Sequence, residues 1–185
     1  MTALISKTIF TVGLIALIAT ASYGQKTVAA LKPAHASALE EFLSKNKTHG
    51  FRPEHFLDKD YLRDMRKYFR KGFMPYYCYG DFNNDKIDDF AIILSRDGEP
   101  KSSGDEINEH NPDFPLTVLI FNGQKKGGFK VAFTEDLYGP HAAFINYEIE
   151  KGKKILYYGI FETDSDTFIM RPAGKGYIID FPEQP

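Results

Sequence analysis

One stretch, running from Tyr76 to Leu94 (YYCYGDFNNDKIDDFAIIL), constrains the fold more than any other part of the chain. Its aromatic beginning and its apolar end are both strand-like, and a short acidic loop separates them. Two strand-like runs joined by so short a connection predict an antiparallel hairpin. Oxygen-bearing side chains recur along the loop, among them Asp81, Asn83, Asp85, Asp88 and Asp89.

The charge of this loop calls for an explanation, because four carboxylates within nine residues repel one another and Lys86 offsets only one of them. A calcium ion would remove that repulsion, since it takes about six to eight oxygen ligands. A plain acidic turn is the alternative, because Asn and Asp side chains bond the nearby backbone and tolerate left-handed geometry. A different metal ion is a third possibility. Asp88 lies next to Asp89 in the sequence and, if calcium binds, is placed to support or replace it as a ligand.

The segment GDFNNDKIDDFAIIL resembles the GDxNxDGxxDL calcium loop of FG-GAP and VCBS-type repeats. It is similar, more loosely, to the first half of an EF-hand or dockerin loop. The resemblance implies a calcium site, and the lack of a bidentate glutamate predicts weak affinity, in the ~0.1–1 mM range of extracellular modules. It also implies the ligands: the side chains of Asp81, Asn83, Asp85 and Asp89, with the backbone carbonyl of Ile87.

This resemblance covers about fifteen residues, and the sequence departs from the pattern at two of its positions. Lys86 stands where the pattern has glycine, and a left-handed backbone there costs roughly 1 kcal/mol. Ile92 stands where an EF-hand has its closing glutamate, which excludes a true EF-hand. The motif occurs once, which excludes a propeller built from repeated blades.

The first 25 residues are typical of a secretory signal peptide, with Lys7 at the start, an apolar run over 9–21 and small residues after it. This segment predicts a secreted or periplasmic protein with no stable membrane span after cleavage. An uncleaved N-terminal anchor is the alternative. No cysteine lies near the segment, which argues against a lipid-anchored protein.

Residues 26–185 are long enough for a single domain with its own core. The chain has 23 basic and 25 acidic residues, and so mild a charge argues against a nucleic-acid partner. Cys78 is the one cysteine, so an internal disulfide is excluded. Its place between tyrosines in a predicted strand indicates a buried core residue.

The pattern of apolar residues predicts an α+β fold, in which two N-terminal helices pack on a mostly antiparallel β-meander sheet. Helices are expected over 33–46 and 59–71, the second with Asp58 as its N-cap and Gly72 as its stop. Turn-like separators divide the remainder into eight strands. These are expected near 76–80, 89–95, 115–122, 128–134, 143–150, 154–162, 166–171 and 176–181.

No zinc-protease, nucleophile-elbow or phosphate-loop motif occurs in the sequence. His141, Asp164 and Asp166 are better explained by turns than by catalysis, and the polar stretch 96–114 by a solvated loop. These observations favour a non-enzymatic exported domain that binds a protein or glycan partner and whose acidic hairpin is stabilised by calcium. The alternatives are a periplasmic inhibitor or immunity-type protein that blocks a partner, and a metal-dependent hydrolase.

Overall fold

The structure, a computed structural model, describes residues 31–50, 59–69, 73–97, 114–139, 143–150, 152–160 and 167–180. Two helices and nine strands occur within these ranges. The helices are α1 (Pro33–Lys45) and α2 (Lys59–Tyr68). The strands are β1 (His49–Gly50), β2 (Tyr77–Gly80), β3 (Asp89–Arg96), β4 (Phe114–Gly123), β5 (Phe129–Gly139), β6 (Ala143–Glu150), β7 (Lys153–Ile160), β8 (Thr167–Ala173) and β9 (Gly176–Asp180).

The strands form two antiparallel sheets instead of one meander. The first sheet has the order β1-β3-β4-β5, and β2 pairs with β3 beside β1. The second sheet has the order β6-β7-β8-β9. The sheets approach each other at both edges: β6 lies near β2, where the Ile145 amide donates to the Pro75 carbonyl at 2.6 Å, and β9 lies near β5.

The expected α+β class is wrong, because strands account for 56% of the structure and helices for 18%, which makes the fold mainly β. The expected antiparallel pairing is found in both sheets, and a strand occurs at each of the eight expected places. The error concerns what covers the first sheet. A second sheet supplies much of the core that the sequence assigns to a pair of helices.

Helix α1 covers one face of the first sheet. Its His35 ring stacks on Phe90 of β3, with centroids 4.4 Å apart, and its Phe42 ring meets Phe121 of β4 edge-on. Neighbouring residues on a strand point to opposite faces. Phe133 of β5 pairs with Ile120, the neighbour of Phe121, and it contacts Tyr177 of β9. The second sheet therefore lies on the face opposite α1.

Both helices begin where the sequence predicts them. The α1 prediction over 33–46 is confirmed to within one residue, and Pro33 opens that helix, where its missing N–H costs nothing. Helix α2 buries Met65 beside Phe73 and Phe144, in a small cluster at the start of β6. The predicted cap at Asp58 and stop at Gly72 lie outside the described residues.

Several sequence predictions fall on parts of the chain that the structure does not describe. These are the signal peptide over 1–25, most of the 96–114 stretch, His141, and the Asp164 and Asp166 pair. Within the described residues, neither helix has the length and hydropathy that a membrane crossing requires.

His35 is the most buried titratable group on α1, with 2% of its surface exposed. Its Nδ1 shares a 2.7 Å hydrogen bond with the Tyr77 hydroxyl. Burial, with a smaller effect from the Lys32 charge, lowers the pKa of His35 to about 4. The imidazole is therefore neutral in the folded protein at neutral pH.

This burial predicts a loss of stability in mild acid. As pH falls below about 6.5, the unfolded chain protonates this histidine before the folded chain does, so the free energy of unfolding decreases. Between about pH 7 and pH 5.5, His35 should account for about 1 kcal/mol of that decrease. Urea titrations of the parent protein and of a His35→Gln variant would measure it. The variant should lose less stability than the parent over this range, and equal losses would contradict the assignment.

Candidate functional site

The loop between β2 and β3 begins with two side chains that converge on one backbone amide. Asp81 Oδ1 and Asn83 Oδ1 each accept a hydrogen bond from the Asp85 amide, and both N···O distances are 3.0 Å. Asp85 Oδ1 then accepts from the Ile87 amide at 2.9 Å. The chain thus curls around its own oxygen atoms, and the first three predicted ligands lie on that curl.

Two residues of this loop adopt the left-handed backbone conformation. Asn84 has a φ of 63° and Lys86 a φ of 70°. Asparagine visits this region easily, whereas lysine pays a steric cost of about 1 kcal/mol. The position where the resemblance expects glycine therefore has glycine-like geometry even though lysine occupies it.

Asp89 anchors the end of the loop inside the protein. It is fully buried, and its two carboxylate oxygens accept from the amides of Phe82 and Gly123, each at 2.9 Å. Gly123 ends β4, so this carboxylate ties the loop to the β4–β5 turn. Burial raises the pKa of Asp89 to about 6, although the amide donors favour its charged form.

Asp81 is engaged by a cation from the second sheet. The ammonium group of Lys154, on β7, donates to Asp81 Oδ2, and both side chains are largely shielded from solvent. Burial alone would raise the pKa of Asp81. The hydrogen bond and charge of Lys154, together with the amides of Lys86 and Asp85, outweigh burial and hold that pKa below its usual value.

Asp88 points away from this arrangement. Its side chain is 60% exposed and pairs with Lys32 at 2.9 Å, and the same ammonium lies 3.6 Å from the centre of the Tyr79 ring. Asp88 therefore does not replace Asp89, which keeps the buried position. Such an exposed pair contributes little stability, typically below ~1 kcal/mol.

Of the predicted ligands, the structure brings Asp81, Asn83 and Asp85 together on the curl, and it turns Asp89 toward the first sheet. In the described part of the chain, no three His, Cys, Asp or Glu side chains form a group able to hold a metal ion. The predicted set also includes an amide and a main-chain carbonyl, which such a group does not count. Chemically, the curl offers hard oxygen acceptors beside one ammonium.

The sequence prediction missed two residues of this region. Lys154 lies 73 positions away from Asp81, and Gly123 lies 34 positions away from Asp89. Gly123 is visible in the sequence as part of the Asn-Gly turn signal at the end of β4, but nothing local indicates that it faces the acidic loop. Cys78 is 4% exposed in β2, which confirms that it is a buried core residue.

Comparison with known proteins gives this chain no relative: no family model, no curated protein and no solved structure matches it. The resemblance to FG-GAP and VCBS-type loops therefore rests on the loop motif in the sequence.

Proposed function

We propose that this chain is an exported, non-enzymatic binding module whose Asp81–Asp89 loop takes up Ca²⁺ and is stiffened by it. The observation that carries the proposal is the convergence of Asp81 Oδ1 and Asn83 Oδ1 on the Asp85 amide, at 3.0 Å each. A loop curled in this way carries side-chain oxygens at alternate positions, and oxygen is the ligand that a hard cation takes. The apolar N-terminal run supports export.

The electrostatics of the loop support the same function. Asp81 is held ionised by an ammonium group, so the curl already accommodates one positive charge supplied by Lys154. A divalent ion would neutralise more of the charge on Asp81 and Asp85 than a single ammonium does. In this proposal Asp81, Asn83 and Asp85 supply side-chain oxygens, Ile87 its carbonyl, and Asp89 fixes the end of the loop.

The role of such an ion would be mechanical. The loop connects β2 to β3, and β3 is buried along most of its length at the centre of the first sheet. Through Gly123 the loop also contacts the β4–β5 turn. An ion on the curl would therefore fix two neighbouring turns at one end of the domain, where a protein or glycan partner could dock on a rigid surface.

Urea denaturation of the purified protein, first with chelator and then with about 10 mM CaCl₂, tests the proposal. An ion that binds only the folded state at tenfold its Kd raises the free energy of unfolding by about 1.4 kcal/mol. The matched variant is Asp85→Asn, which keeps an acceptor oxygen for the Ile87 amide and removes one charge. It should fold normally and lose most of the calcium response.

The control is Glu135→Gln, which removes an exposed charge on β5 far along the chain from the loop. It should respond to calcium as the parent protein does. Magnesium should stabilise less, because it demands tighter octahedral geometry and releases its water reluctantly. A parent protein that shows no stabilisation by calcium, or an Asp85→Asn variant with an undiminished response, would refute the calcium site.

A further inference from the structure

Two hairpin turns meet at the end of the domain that carries the acidic loop. The β4–β5 turn (124–128) and the β8–β9 turn (174–175) are linked by the Tyr177 hydroxyl, which donates a hydrogen bond of 2.8 Å to Asn122 Oδ1. Gly176 lies so close to β5 that a Cβ atom added to it would be 3.0 Å from the Ala132 carbonyl oxygen. The start of β9 therefore lies against β5, and the two turns form one surface.

This surface carries four exposed lysines, which we call the lysine patch. They are Lys125 and Lys126 in the β4–β5 turn, Lys130 on β5 and Lys175 in the β8–β9 turn. Phe129 contacts His35 of α1, so alternation along β5 turns Lys130 toward the opposite face, where β9 lies. The residue opposite Lys130 on β4 is Asn122, which is neutral.

The lysine patch has no carboxylate of its own. Neither 122–130 nor 173–176 contains an acidic residue, and none of the four lysines makes an ion pair within the described part of the chain. The adjoining β2–β3 loop is acidic, but each of its carboxylates already has a partner. The partners are Lys154 for Asp81, the Ile87 amide for Asp85, Lys32 for Asp88, and the Phe82 and Gly123 amides for Asp89.

The lysine patch offers charge without an apolar or aromatic surface. Phe129 is the one aromatic residue of its two segments, and it packs against His35 of α1. Glycine fills further exposed positions, at Gly127, Gly128 and Gly174. Interfacial membrane sites bury apolar side chains among lipids, and single-stranded nucleic acids stack their bases on aromatic ones. A polymer that carries many anionic groups needs only the charge.

We propose that the lysine patch binds a polyanionic glycan, whose carboxylate groups pair with lysines of both turns. Lysine suits a partner of varied geometry, because its ammonium is a point charge on a flexible stem. The chain as a whole has 23 basic and 25 acidic residues, so a polyanion is attracted only where this patch faces it. The inference rests on the proposed function in taking the chain as an exported binding module, whose partner it names, and it requires no ion on the acidic curl.

Carboxymethyl dextran and unsubstituted dextran are matched probes, since they share a backbone and differ in charge. Titration calorimetry in chelator at low ionic strength should show saturable binding of the anionic polymer, weakened by added salt, and no binding of the neutral one. Lys126→Gln and Lys175→Gln, one in each turn, should each weaken binding about fivefold without changing the melting curve. The matched control is Lys47→Gln, an exposed lysine next to β1, which pairs with the far end of β3. It should bind within about twofold of the parent.

The lysine patch is refuted if the two dextrans bind equally, if neither binds, or if Lys47→Gln weakens binding as much as the patch variants do. Phosphatidylglycerol vesicles and an oligothymidylate are the competing probes, and tighter binding of either would overturn the assignment to a glycan. Because every titration contains chelator, a failure here leaves the calcium site standing. A protein that shows no calcium response in urea denaturation would likewise leave the lysine patch standing.

Discussion

Replacing Asp89 by alanine should lower the free energy of unfolding by about 2–4 kcal/mol, measured by urea titration in chelator. The change leaves the Phe82 and Gly123 amides without their acceptors in a fully buried place, at about 1–3 kcal/mol for each unsatisfied group. Relief from burying a charge offsets part of this loss, since burial raises the pKa of Asp89 to about 6. Working in chelator separates this effect from any contribution of calcium.

Asp88→Ala is the matched control, because it removes the neighbouring carboxylate from an exposed position. Its pairing with Lys32 is solvent-screened, so the loss should stay below about 1 kcal/mol. If the two variants were equally stable, the interpretation of Asp89 as the buried link between the loop and the β4–β5 turn would be wrong.

The second large effect is expected at Gly123. A Cβ atom added there would lie 2.5 Å from the carbonyl oxygen of Asp88 and 2.5 Å from Ile87 Cγ2. The clash involves the backbone, so the β4–β5 turn must move. The hydrogen bond from the Gly123 amide to the Asp89 carboxylate must then lengthen. Gly123→Ala should therefore cost about 3 kcal/mol, from overpacking and the weakened hydrogen bond together.

Gly127→Ala, in the same turn, separates this contact from the general cost of losing a glycine. Gly127 has a φ of 86°, and a Cβ atom added there would have nothing within 4 Å, so the expected cost is only the left-handed strain of about 1–2 kcal/mol. Thermal melts of both variants beside the parent would rank them. A Gly127→Ala variant as unstable as Gly123→Ala would show that close packing against the loop is not the cause.

Strand positions could be predicted because each strand is bounded by its own turn residues, and those signals are local. The number of sheets could not be predicted, because it depends on which strands pair with each other and which faces of the sheets pack together. One clue was present in the run FAIIL: β3 is apolar at every position from Phe90 to Leu94, which is typical of a strand covered on both faces. A single layer of helices covers one face only, so that run already argued for a second layer.

The acidic loop could be predicted as a unit because its Asx turns form between residues two to four positions apart. Its surroundings could not. Lys154 and Gly123 reach the loop from β7 and from the end of β4, and no spacing rule along the chain connects them to Asp81 or Asp89. The sequence prediction named Asp89 as a ligand and Asp88 as its support or replacement, and the structure separates the two by burial.

The contact between Lys154 and Asp81 joins the second sheet to a loop of the first. A divalent ion that takes Asp81 as a ligand must compete with that ammonium. Ion uptake would therefore replace a contact between the two sheets by contacts within the β2–β3 loop. The increase in the free energy of unfolding on adding calcium would then be the attraction of the ion for Asp81 minus the attraction of Lys154 that the ion displaces. Loading would tighten the loop and, in the same step, free the Lys154 side chain of β7 from it.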